Sequence, residues 1–150
     1  MSQTTANITN NQAQVNTDTA KIFVWNNRFA EAAINYENST YDDITWPAGT
    51  VMGRIASTNK VVPLTSAASD GSQFPVGILA QDVTIEAGDT LAQNVTICVE
   101  GDVNENLIDL QGSDTLNTVI SSRTIRDRIG ADTVGVKLVP STEMTSFDNS

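Results

Sequence analysis

Between Gly49 and Val83 the apolar positions come in short alternating bursts separated by turn-forming residues. Val51-Met52-Gly53-Arg54-Ile55 sends every second side chain to one side, the pattern of a half-buried strand. Thr58-Asn59-Lys60 is a tight polar turn, and Val61-Val62-Pro63-Leu64 returns as the second arm of a hairpin. Pro63 has no N–H to give to a ladder, so that arm is an edge strand or stops there. Small, turn-forming residues fill Ser66 to Ser72, where Asp70-Gly71 supplies the positive φ of a sharp reversal. Val76-Gly77-Ile78-Leu79-Ala80 follows as a core strand.

Outside this stretch the same reading gives more β structure. In Lys21-Ile22-Phe23-Val24-Trp25, Ile22 and Val24 lie opposite Phe23 and Trp25, so both faces are apolar. That fits a central strand or one lying between two subunits. Arg28 to Tyr36 has helical propensity but is read as extended, and Tyr41 to Pro47 as a loop with solvated acids Asp42 and Asp43. Thr84 to Thr90 is a connection ending in a Gly-Asp turn, and Leu91 to Val99 is a strand. There Val95, Ile97 and Val99 take one face, and Cys98 shares the other with Thr96. Gln111 to Asp114 is a turn. Leu116, Val119 and Ile120 do not share a helical face with Ile125 and Ile129, which predicts two pieces rather than one helix. The second piece is a helix over Arg123 to Ile129, with Ser122 as N-cap and Gly130 just past its end. Thr133 to Val139 alternates as a closing strand that Pro140 stops.

Residues 1–20 are a separate compositional unit, rich in Asn, Gln and Thr, with one charge at Asp18 and little apolar matter beyond Met1, Ile8 and Val15. Alone, such a segment cannot bury enough surface to offset its ordering entropy. It orders by a contact within the chain or as an arm against a neighbouring subunit, where an extended strand can join a sheet. Ile8 and Val15 are its small anchors. Three units result: an arm (1–20), a β-rich domain (21–140) and a polar, acidic tail (141–150).

Composition narrows the chemistry. The 150 residues allow one domain with a real core, and only 17% are charged, against about 25% in typical domains. Uncharged polar residues take up that share, as turn-rich β structure requires. Eighteen acids against eight bases give a net charge of −10. The one basic cluster, Arg123, Arg126 and Arg128, reads as a solvated helix face, so no direct nucleic-acid partner is expected. Histidine is absent, which removes the commonest general base and metal ligand. The single cysteine, Cys98, excludes an internal disulfide and reads as an inert, buried thiol. Asp82, Asp89, Glu100 and Asp102 make a poor carboxylate pair, and no cofactor, metal site or catalytic residue is expected. No apolar run reaches the roughly 20 residues of a membrane span, and the N-terminus does not read as a signal peptide. The N-x-[ST] triplets at Asn7, Asn38 and Asn94 are therefore incidental.

One resemblance adds to this. GTVMGRI, then a lysine-containing turn, then AASDGSQFPVGILAQDV, resembles the head decoration (capsid cement) proteins of tailed bacteriophages over about residues 49 to 103. The spacing of Asp70-Gly71 ahead of Val76-Gly77-Ile78-Leu79 is its most specific part. Glu100-Gly101-Asp102-Val103 is similar to the family's glycine-containing turn before the C-terminal region. The resemblance implies a small, usually trimeric β domain on the outside of a capsid, and no catalysis. The expected architecture is mainly β: a small sandwich or barrel-like domain, one short C-terminal helix and the extended arm. The expected role is a structural virion protein, made in the host cytoplasm, that binds the major capsid protein and stabilises the shell. Its contacts are expected at Ile8, Val15, Ile22, Phe23, Val24 and Trp25. A head-fibre base or a receptor- or glycan-binding module is the alternative, and a small enzyme working from carboxylates alone a third reading.

Overall fold

A computed structural model describes residues 21–90 and 93–140. In chain order its elements are β1 (Phe23–Ala33), β2 (Ile44–Trp46), β3 (Val51–Arg54), β4 (Val61–Pro63), β5 (Pro75–Leu79), β6 (Val83–Ile85), β7 (Asn94–Asn104), a 3₁₀ turn (Glu105–Leu107), β8 (Val119–Ile120), β9 (Arg123–Thr124), α1 (Ile125–Asp132) and β10 (Gly135–Val139). The chain is mainly β with one short helix, as its alternation predicts.

β7 carries the main sheet. One of its edges pairs antiparallel with β1 along its whole length, from Phe23 opposite Val103 to Ala33 opposite Asn94. The other edge is shared: β5 pairs antiparallel at Ile97 and Cys98, and β10 pairs parallel from Glu100 to Asn104. β3 and β4 continue from β5, and β4, with Pro63, is the outermost strand of that run. The sheet curls until its two sides touch. Ile34 forms an isolated parallel bridge with Val61, and the Asn35 N–H donates to the Val61 carbonyl at 3.0 Å. That contact falls short of a closed barrel.

The curl creates two cores. Inside it lie Ile34, Trp46, Met52, Leu79, Val95, Ile97 and Val99. On the convex face Val51, Ile78, Cys98 and Val103 pack against Ile120, Ile125, Ile129 and Val136 from the C-terminal elements. Each fully buried aliphatic side chain contributes about 1.5–3 kcal/mol. Cys98 and Val103 are five residues apart, so strict alternation would put them on opposite faces. A bulge at Gly101, whose φ is 112°, resets the alternation and brings both into the second core. Glu100-Gly101-Asp102-Val103 is therefore a kink inside a continuing strand, not a turn that ends it.

Two short strands escaped the sequence pattern. The loop expected over Tyr41 to Pro47 holds Ile44–Trp46, and the connection expected from Thr84 holds all but the first residue of Val83–Ile85; the two pair antiparallel as β2 and β6 and cap the inner core. Three-residue strands carry too little alternation to be seen. Carboxylates pin the ribbon at both ends. Asp43 Oδ1 accepts from the Ala87 N–H at 2.9 Å, and Asp82 Oδ1 from the Ala48 N–H at 2.8 Å. Asp43, exposed as expected, thus also serves as a strut.

The C-terminal elements depart from expectation in their boundaries. Ser121 and Ser122 both have positive φ (49° and 73°) and form the two-residue turn of the β8–β9 hairpin. Ser122 is consequently no N-cap. Thr124 takes that place by accepting from the Asp127 N–H at 3.2 Å, and Gly130 lies inside the helix, which runs on to Asp132. Of the three arginines read as a solvated helix face, Arg123 and Arg126 are exposed, with Arg123 on β9 ahead of the helix, whereas Arg128 is half-buried. Arg126 pairs with Glu105. Arg128 donates to the carbonyls of Ile120 and Ser121 at 3.0 and 2.9 Å, and its guanidinium lies 4.7 Å from the Phe74 ring centre.

Two outcomes test this packing. A Cβ on Gly53 would sit 1.9 Å from the Ser72 carbonyl oxygen. Gly53→Ala should lower the unfolding midpoint by about 5 °C or more, equivalent to about 2 kcal/mol. The second concerns Asp70, whose Oδ1 accepts from the Ser72 hydroxyl at 2.6 Å and the Ser72 N–H at 3.0 Å. These bonds hold the carboxyl below the ordinary aspartate range. A lowered folded-state pKa stabilises above the unfolded value, and that gain is lost as pH falls through the folded one. Asp70→Asn should therefore melt below wild type at neutral pH, with the gap closing as pH falls through and below the ordinary aspartate range. A constant gap across that range would contradict the assignment.

Candidate interaction surface

β1 is the element whose surface is least accounted for by the domain's own packing. Its geometry is set at the Gly101 bulge, where Trp25 pairs with Asp102 and Arg28 with Glu100. Asn26 and Asn27 are left facing Gly101 alone. Asn26 adopts φ 54°, and a Cβ on Gly101 would lie 2.6 Å from the Asn26 carbonyl oxygen, so only glycine fits the approach. Asn27 Nδ2 donates to the Asp102 carbonyl at 3.0 Å and lies 3.6 Å from Cys98 Sγ. Cys98 Sγ–H donates to the Glu100 carbonyl at 3.2 Å. An exposed Arg28–Glu100 ion pair at 2.9 Å bridges the two strands beside the bulge.

The strand expected to be apolar on both faces is divided by this kink. Ile22 and Phe23 are half-buried against the convex-face core, and the Ile22 carbonyl accepts from the Asn104 N–H at 2.8 Å. Phe23 meets Phe29 edge to face, with ring centres 5.3 Å apart. Val24 is half-buried. Trp25 is 72% exposed and Phe29 44% exposed. The four expected contact residues thus do not present one face: Ile22 and Phe23 serve the fold, and Trp25 stands out from it. Ile8 and Val15 lie outside the described residues. Among the described residues no strand pairs with the outer edge of β1, whose N–H and C=O groups line it from Phe23 to Ala33. Such an edge is a template for an added strand.

The acidic residues do not gather into a site. Asp82 braces the Ala48 N–H, Glu100 pairs with Arg28, and Asp89 accepts from Gln93 Nε2 at 2.8 Å. Among the described residues no group of three His, Cys, Asp or Glu side chains is placed to hold a metal ion, and no helix is long and apolar enough to cross a membrane. Sequence reading missed a different pair. Asn38, set aside as an incidental triplet, is fully buried and organises the loop that carries Tyr41, which is completely exposed. Thr40, two residues after Asn38, was the available signal, because Asn side chains bond their own backbone two residues on.

The fold is an irregular β domain with an open strand edge along β1. The family model of bacteriophage lambda head decoration protein D matches residues 44–118, half of the chain. The chain belongs to that family. It is a structural protein of the phage head that binds the capsid exterior. No individually curated protein matches it. The matched segment runs from β2 through β7 to the residue before β8 and leaves out β1, α1 and β10.

The division within β1 is testable by thermal unfolding. Phe23→Ala should cost about 1–3 kcal/mol, because it removes a ring packed on Phe29 and the convex core. Trp25→Ser should stay within about 0.5 kcal/mol of wild type, as an exposed side chain does.

Proposed function

We propose that this head protein clamps neighbouring copies of the major capsid protein and thereby stabilises the shell, acting as a homo-oligomer, a trimer by its family resemblance. Residues 1–20 serve as the arm, 21–140 as the clamp body and 141–150 as a tail. The contact is made at Ile8 and Val15 on the arm and at the start of β1, Ile22 to Trp25. One observation carries this reading: the open edge of β1, with Trp25 exposed on it, begins where residues 1–20 join the domain. An arm and an edge strand meeting at one place offer a partner backbone hydrogen bonds and an aromatic anchor together. Within that contact Ile22 and Phe23, half-buried, contribute mainly by fixing the edge.

Binding that favours the assembled shell stabilises it by mass action. The arm's ordering costs about 1–2 kcal/mol per residue in backbone entropy, so its contact must recover that sum. Deleting residues 2–20 should leave the unfolding midpoint of the domain unchanged and weaken binding to undecorated capsids at least tenfold, about 1.4 kcal/mol. Decorated particles should outlast undecorated ones at low ionic strength, where packaged charge repels itself most. Equal affinity after truncation would move the contact into the domain body, and equal particle survival would remove the stabilising role.

A further inference from the structure

From Phe23 to Glu31, β1 presents an outer edge with which no described strand pairs. The far limit of that edge is set by the Ile34–Val61 bridge, where β4 approaches β1. The Ile34 N–H donates to the Gln93 carbonyl, which fixes the alternation of the strand. Ala30 and Ala32 therefore turn their N–H and C=O groups to β7, and Phe29 and Glu31 turn theirs outward. Beside these groups the convex-face core ends on an aromatic rim. Phe29 lies opposite Cys98 and meets Phe23 edge to face, yet it is 44% exposed. Outward amides beside an apolar rim fit an extended segment that brings its own backbone and an aliphatic side chain.

The chain itself carries such a segment. Residues 1–20 hold no charged side chain apart from Asp18 and have two aliphatic anchors, Ile8 and Val15. With a single acid, the segment can lie against a chain of net charge −10 without much repulsion. Twenty extended residues reach about 66 Å, of which the open edge takes up about 30 Å. The remainder is about the width of a domain of this size, enough to cross to a neighbour. The segment's own β1 is a poor acceptor. The Ile22 carbonyl is tied to the Asn104 N–H, so an antiparallel return must reverse just before Lys21. Thr17-Asp18-Thr19-Ala20 holds no Gly or Asn to take the positive φ of a two-residue turn. A parallel return needs a crossover of a dozen or more residues, which leaves about eight to pair.

We propose that residues 1–20 of one copy pair with the outer edge of β1 in a second copy of this chain, where Ile8 or Val15 covers Phe29. Donor segment and acceptor edge are different surfaces of the same chain. Each copy gives to one neighbour and receives from another, and the contact closes into a ring. The inference rests on the homo-oligomer reading above and names how the copies hold one another. A ring offers the shell several Trp25 ends at once, so breaking it lowers capsid affinity through lost multivalency.

The test follows sedimentation of the full chain together with hydrogen exchange at the Phe29 and Glu31 amides, over a dilution series. Concentrated wild type should be a closed oligomer with both amides protected at least tenfold. Dilution should release the oligomer and the protection together. Glu31→Pro removes an outward N–H without touching the ladder to β7, and assembly should then need at least tenfold more protein. Ile8→Asp combined with Val15→Asp leaves the domain's own core untouched and should do the same. This arm variant decides the case if Glu31→Pro unfolds. The proposal is overturned by wild type that stays monomeric at every concentration, or by an oligomer whose edge amides exchange freely. It is also overturned by an arm variant that assembles like wild type, or by protection that persists in the diluted monomer, which would put the arm on its own β1. Binding to undecorated capsids is measured separately. A protected oligomer that does not bind them would keep this contact and refute the shell reading alone.

Discussion

The structure depends on one strand serving two cores. Asn94–Asn104 pairs with β1 on one edge and with β5 and then β10 on the other, and its side chains feed both faces of the curled sheet. A regular strand of that length would send Val103 to the same side as Val95, Ile97 and Val99. The positive φ at Gly101 prevents this by resetting the alternation midway. The C-terminal helix and β10 then have an apolar surface to cover. The same kink spreads Asn26 and Asn27 over Gly101 and turns Trp25 out to solvent. Core assignment and surface exposure are therefore consequences of a single glycine.

Much of this was legible in the sequence, for reasons that differ by element. The Val51–Arg54 and Val61–Pro63 hairpin, the Asp70-Gly71 reversal and the Pro75–Leu79 strand were visible because alternation and turn chemistry agree there. The opposed faces of Val95, Ile97 and Val99 against Cys98 were equally plain, and the two cores divide them as read. The β2–β6 ribbon was not, since its three-residue strands are stabilised by Asp43 and Asp82 bonds across more than 30 residues. The helix start was misplaced because serine is not the residue expected to adopt positive φ twice in succession. Arg128 looked like surface charge, and only the fold brings Phe74 and the β8–β9 turn to it.

The interaction surface was half legible. An apolar run at Ile22–Trp25 marked the right place, but its periodicity could not show a bulge that depends on a glycine some 75 residues away in the chain. The Asn38 brace was hidden for another reason. Polar residues in loops are common, and whether an asparagine is a buried brace is decided by Ile85 and Asp89, which come much later.

The open edge of β1 unites the proposals: the exposed Trp25 at its start serves the shell, and its outward backbone serves the neighbouring copy. An electron cryomicroscopy reconstruction of decorated capsids tests this arrangement most directly. The account predicts density for the domain on the outer surface, with the Lys21 end of β1 against the capsid protein and an extended segment of a neighbouring copy along its open edge. A domain seated with its Lys21 end away from the shell, and its β1 edge free in solvent, would contradict it.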